Sequence, residues 1–205
     1  MSDAAPIAGA PAAADETRSR LIDAAAEVFS EQGYAGSGVQ AIAKRAGFTT
    51  GAIYGRFSGK AELLLAAIDE RSNDELDDLF AEHGFRADAA DVLNQVGSHL
   101  VTRRDTSGQL LLEAFVAARR DPEVAALVRQ RLDDRAQLMA ELIETSKVDG
   151  TIDPDLDTKS IVRFVHAVGL GFLLYDTIGL DLPAAGPWAE LIERLVGAVA
   201  PDTAD

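Results

Sequence analysis

Residues 39–57, VQAIAKRAGFTTGAIYGRF, constrain the fold more than any other stretch. Val39, Ile42, Ala43 and Ala46 recur at three- and four-residue spacing, which predicts a short helix with one apolar face. Gly47 permits a tight turn, Phe48 fills the angle, and Thr49 stands where a helix N-cap is wanted. A second short helix over 50–57 places Ile53 and Phe57, four apart, toward a core. Thr50, Gly51, Ala52, Tyr54, Gly55 and Arg56 fall on its outer face or margins. The pattern is that of two helices meeting at a sharp angle, a helix-turn-helix.

The charge of this region sets it apart. Residues 36–60 hold Lys44, Arg45, Arg56 and Lys60 and no Asp or Glu, whereas the chain has a formal net charge of −15. An island of +4 therefore leaves −19 on the remainder. Phosphates explain such an island, because Lys and Arg that neutralise them release counterions. The acidic remainder would keep DNA off other surfaces. Small residues near the start of the second helix allow close backbone approach. Threonine hydroxyls bond phosphates or bases, and the threonine methyl can touch a thymine methyl.

The rest of the 205-residue chain also reads as helical, with no sustained period-two segment. A helix over 16–32 buries Leu21, Ala25, Val28, Phe29 and Gln32 and ends at Gly33. A fourth helix follows 58–60 and runs to about residue 82, with Leu63, Leu64, Ala67 and Ile68 inward. Further helices are expected at about 88–102, 106–120, 121–147, 157–178 and 187–200. Asp121, Pro122 and Glu123 form a helix start of capping acid, first-turn proline and dipole-favoured acid. Asp157 caps the next helix. Residues 1–15, rich in Ala, Pro and Gly, are expected to be a disordered tail; they lack the basic start and apolar core of a signal peptide.

Several function classes lack support. Without cysteine there is no disulfide, thiolate nucleophile or Cys-ligated metal. No run of 18 apolar residues offers a membrane span. His83, His99 and His166 show no metal-ligand spacing. G-R-F-S-G-K at 55–60 is one residue short of a phosphate loop, and Ala61 follows it. Gly169-Leu170-Gly171 lacks a third glycine at 174. No catalytic residue, metal site or cofactor is expected.

The 157–178 segment is apolar too broadly for one stripe, so burial on more than one side is expected. Its glycines, Gly169 and Gly171, would let another helix approach, such as its own copy in a second subunit. Phe115, His166, Phe172, Tyr175 and Trp188 either wall a ligand pocket or pack the core. Glu113 is a further polar anchor for such a pocket. Arg131 and Arg135 are placed to pair with nearby acids, and Arg45 reads as a solvated surface charge.

Residues 20–64, RLIDAAAEVFSEQGYAGSGVQAIAKRAGFTTGAIYGRFSGKAELL, resemble the DNA-binding domain of TetR/AcrR-family transcriptional regulators. AAAEVFSEQGY, IAKRAGFTTGAIY and F-S-G-K before two leucines carry the match. EAFVAARRDPEV and G-T-I-D-P-D-L-D are similar to the family's regulatory half. The resemblance implies an all-α homodimer with an N-terminal three-helix helix-turn-helix domain and a larger C-terminal domain for effector binding and dimerisation. The expected division is a tail at 1–15, a DNA-binding domain at 16–62 and an effector and dimerisation domain at 63–205. It further implies a cytoplasmic repressor on a palindromic double-stranded operator, released by a small apolar or amphipathic effector.

Carried over by motif, the DNA-contacting positions are Ser37, Gln40, Lys44, Thr49, Thr50, Gly51, Tyr54 and Lys60. Tyr54 and Lys60 are expected to clamp phosphates, and Gln40, Thr50 and Gly51 to read bases. The sequence departs from the family at Arg56, where an aromatic or His is common and which would add a contact. It departs again at Gly38, where Ser or Thr often caps. Two other readings compete: a helical small-molecule-binding protein or enzyme without DNA function, and an interaction module using the acidic C-terminal surface.

Overall fold

The computed structural model describes residues 10–71 and 107–198. Among them are eight helices and no strand: α1 (Ala10–Gly36), α2 (Val39–Ala46), α3 (Thr50–Tyr54), α4 (Lys60–Arg71), α5 (Ser107–Ala118), α6 (Pro122–Val148), α7 (Thr158–Thr177) and α8 (Ala185–Ala198). The all-α expectation holds. The end of the fourth helix toward residue 82, and the segment expected at 88–102, lie outside the described residues, as do residues 1–9.

The chain forms two compact units. One takes residues 1–72 with 109–128, the other 73–108 with 129–205. In the first, α1 carries the core. Leu21, Ile22, Ala25, Val28 and Phe29 are all buried, while Gln32 near the end of the face is exposed. Helix α1 starts at Ala10, six residues before the expected Glu16, because alanine there favours the helix. Gly33 breaks the helical path with φ 67°. A side chain there would also lie 3.2 Å from a Glu113 carboxylate oxygen, so glycine answers both backbone and space.

Around α1 the helix-turn-helix forms as the periodicity predicts. Ile42, Ala43 and Ala46 of α2 and Ile53 of α3 are buried, and Phe57 closes the far side. Gly47 turns the chain with φ 76°, in the left-handed region that favours glycine. Helix α4 adds Ala61, Leu63, Leu64, Ala67 and Ile68 to the same core.

In the second unit, Met139, Ile143, Ile152 and Val162 make a core cluster between α6 and α7. The Asp121 and Asp157 caps are both present: Asp121 accepts from the amides of Glu123 and Val124, and Asp157 from that of Ser160. The expected burial of α7 on several sides is not met among the described residues. Only Val162 of that helix is buried, and Phe164, Leu174 and Tyr175 are about half exposed. Its apolar surface exceeds what α6 covers.

Helix α3 has five residues and a single buried one, so its place depends on Ile53. Ile53→Ala should lower stability by about 2–5 kcal/mol. Urea unfolding of the full chain should show a lower midpoint; an unchanged midpoint would mean the site collapses without cost.

Candidate nucleic-acid interface

The outer surface of α2 and α3 presents most of the expected DNA-contacting side chains. Gln40, Lys44, Thr49, Gly51 and Arg56 are exposed, Thr50 is partly so, and Tyr54 is 61% exposed. A core role for Tyr54 is thereby removed. Thr49 is the N-cap of α3 by position, but its hydroxyl makes no capping bond, and Gly38 stands likewise at α2.

Two of the expected contacts look inward instead. Ser37 is 6% exposed and its hydroxyl donates to the Tyr34 carbonyl at 2.9 Å. The Lys60 ammonium donates to the carbonyls of Tyr34 (2.7 Å) and Ser37 (3.2 Å) and lies 4.0 Å from the Tyr34 ring centroid. Burial pushes its pKa down, and the Asp121 carboxylate opposes that shift. Both side chains hold the entry to α2 rather than lying open on the surface.

Arg45 is exposed yet engaged. It donates to Glu27 (2.9 Å) and Glu31 (2.7 Å) of α1. The bond from Arg45 holds the Glu31 carboxyl below its usual range. An exposed pair contributes little to stability, because water screens it. Its effect here is on charge: Arg45 brings two carboxylates with it, while Lys44 and Arg56 have no carboxylate partner among the described residues.

Tyr34 joins this surface to α5 and to the capping residue of α6, all within the first unit. Its amide donates to Glu113 of α5 (3.1 Å), and its phenol donates to Asp121 at the start of α6 (2.9 Å). Its ring stacks on Phe29 with centroids 5.9 Å apart. Burial, then the bond to Asp121, raises the Tyr34 pKa, so the phenol stays a donor. The Asp121 carboxyl is held low, first by that phenol and then by the Val124 and Glu123 amides and Lys60.

The residues expected to form an effector pocket divide. Glu113 is taken up by the Tyr34 amide, and Phe115 belongs to the first unit with it. In the second unit the Phe172 ring meets Tyr175 at 6.3 Å and Trp188 at 4.8 Å, both edge-on. Nδ1 of His166 is buried without a hydrogen-bond partner among the described residues, and burial with nearby Arg163 and Arg135 lowers its pKa. Burial, reinforced by Arg135, pushes Arg131 down to about 10. A groove of about 630 Å³ between α6 and α7 is lined elsewhere, by residues including Ala136, Ala140, Lys147, Leu156 and Val162.

Residues 21–67 match the family described as bacterial regulatory proteins, tetR family. The HTH-type transcriptional regulator SrpR of Pseudomonas putida is 44% identical over 195 residues, covering 91% of this chain and 85% of that protein. The chain belongs to the TetR family. The regulator UidR of Escherichia coli K12 is 27% identical over 188 residues, covering 91% of this chain and 94% of UidR. Among solved structures, Salmonella enterica GusR shares the fold, with a TM-score of 0.75 at 21% identity over 90% of this chain and 95% of GusR. This TetR-family chain is therefore a DNA-binding transcriptional regulator rather than an enzyme.

Sequence reading missed the Tyr34 contacts of this TetR-family member. Asp121 was legible as a helix cap, but its second partner lies 87 residues away and no local pattern marks it. Because the folded Asp121 pKa is depressed, its contribution to stability is complete above the unfolded value of about 3.9 and disappears as pH falls through the folded value. Tyr34→Phe removes the largest cause of that depression. Thermal melts across pH 2.5–7 should show a shallower acid loss in the variant than in the wild type; identical slopes would deny the Tyr34–Asp121 bond.

Proposed function

We propose that the chain is a dimeric, ligand-responsive repressor whose α2–α3 surface docks in the major groove of a palindromic operator. The observation that carries this reading is the exposure of Gln40, Lys44, Thr49, Gly51, Tyr54 and Arg56 on a segment that contains no acid. Lys44, Arg56 and Tyr54 contact phosphates and set the register. Gln40, Thr50 and Gly51 face base edges. The solved NalD, described as the secondary repressor of the MexAB-OprM multidrug efflux pump in Pseudomonas aeruginosa, shares the fold with a TM-score of 0.65 at 22% identity, and gives the repressor sign a precedent.

The functional division follows the expected one, with DNA reading in 16–62 and dimer and effector functions in 63–205. The exposed apolar residues of α7 and α8, among them Phe164, Leu174, Leu191 and Leu195, are covered by the same helices of a second copy. Such a two-fold pairing spaces the recognition helices about 34–36 Å apart, or a multiple of a turn. Phe172, Tyr175, Trp188 and His166 take part in an apolar effector site. An effector that prefers the DNA-incompetent dimer shifts the population by that preference alone. The repressor acts on DNA in the cytoplasm.

Selection from a random duplex pool tests the reading: the protein should enrich a palindrome. On the enriched duplex, Lys44→Ala removes one phosphate contact from each subunit and should flatten the slope of log affinity against log salt by about 1.8. Enrichment of no sequence would reject operator recognition, and an unchanged slope would remove the Lys44 phosphate contact. Leu191→Asp should give a monomer by light scattering and abolish tight binding; a dimer that persists would place the interface elsewhere.

A further inference from the structure

Helix α3 is too short to hold itself. Isolated helices below about 12–15 residues are marginal in water, and α3 has five. Its N-cap threonine makes no side-chain capping bond and Ile53 is its one buried residue. Yet the phenylalanines that bracket it are each covered by an arginine from one turn of α1. The Arg20 guanidinium lies 4.7 Å from the Phe48 ring centroid, and that of Arg18 lies 5.5 Å from the Phe57 centroid.

Arg20 does more than stack. Its Nη2 donates to the carbonyl of Ala46, the last residue of α2, at 3.0 Å. The turn itself satisfies two neighbouring carbonyls, with the Phe48 amide on Ala43 and the Gly47 amide on Lys44. Ala46 is one of the carbonyls a helix end leaves over, and a cation there also meets the negative end of the helix dipole. A Cβ at Gly47 would stand 3.4 Å from the same Nη2. One guanidinium thus touches the end of α2, passes the turn glycine, and covers the residue that leads into α3.

We infer that Arg20 is a positioning residue for base recognition: its grip on Ala46 and Phe48 fixes the angle at which α3 leaves α2. The inference rests on the operator reading above and adds to it a residue outside the helix-turn-helix. Arg20 touches no base in this account. It sets where Thr49, Thr50 and Gly51 stand, so its loss should cost discrimination between sequences rather than general attraction to DNA.

The probes are the duplex that the wild-type protein enriches from a random pool and a scrambled duplex of the same composition. If the wild type enriches nothing, the operator reading fails by itself, before any variant is made. Given an enriched duplex, Arg20→Met should weaken binding to it by about tenfold or more. Binding to the scrambled duplex, and the salt slope on both, should stay as in the wild type. Arg20→Lys, which keeps one donor and the charge, should recover part of the lost discrimination.

An equal loss on both duplexes with a slope flatter by about 1.8, one contact per subunit, would make Arg20 a phosphate contact and overturn the inference. A lower melting temperature with unchanged affinities in the folded range would make it merely structural and overturn it as well. If Arg20→Met does not fold, Arg20→Lys with Phe48→Leu carries the test. Discrimination equal to wild type in both of those would overturn the inference.

Discussion

A surface that reads DNA must hold its shape before DNA arrives, and here the reading element cannot do so unaided. The anchoring of α3 through Ile53 and Phe57 into a core built on α1 is the interaction on which the interface depends. Burying two such side chains gives roughly 1.5–3 kcal/mol each, against about 1–2 kcal/mol per residue for ordering the backbone of so short a helix. Over the five residues of α3 that ordering cost exceeds what the two burials return. Contacts from α1 to both flanks of α3, through Arg18 and Arg20, bear directly on where its outer face lies.

Charge is distributed to match. Helix α1 meets the cationic island with two carboxylates, Glu27 and Glu31, that hold Arg45, while Asp23 holds Arg71 of α4. Lys60 turns inward to the carbonyls of Tyr34 and Ser37. The +4 read from the sequence is therefore not +4 toward a duplex: Lys44 and Arg56 are the island's outward cations without a carboxylate partner among the described residues. A modest electrostatic footprint leaves more of the discrimination to base contacts, which suits the proposed release from the operator by an effector. Tyr34 ties the same surface to Glu113 and Asp121, and the helix that Asp121 caps, α6, runs on to Val148.

Much of this was legible in the sequence, and the reasons for success and failure are physical. Periodicity and glycine chemistry located α2, the Gly47 turn and α3, because each is decided within a few residues. Asp121 and Asp157 announced their helices for the same reason. Exposure was harder: Ser37 and Lys60 match a surface motif, yet a buried hydroxyl and an inward ammonium result from how Tyr34 packs. Glu113 read as a polar anchor for a ligand and proved to be the acceptor for a backbone amide far away in sequence. The breadth of apolar residues in α7 was read as burial on more than one side, yet among the described residues much of that surface stays exposed. Long-range partners have no local signature, and those are the contacts that sequence reading missed.

Hydroxyl-radical footprinting of the wild-type protein on its enriched duplex tests the docking of the α2–α3 surface most directly. Two protected patches on one face of the duplex, centred 10–10.5 base pairs apart or a multiple of that, are the predicted result. A single patch, or protection spread evenly along the duplex, would contradict the account.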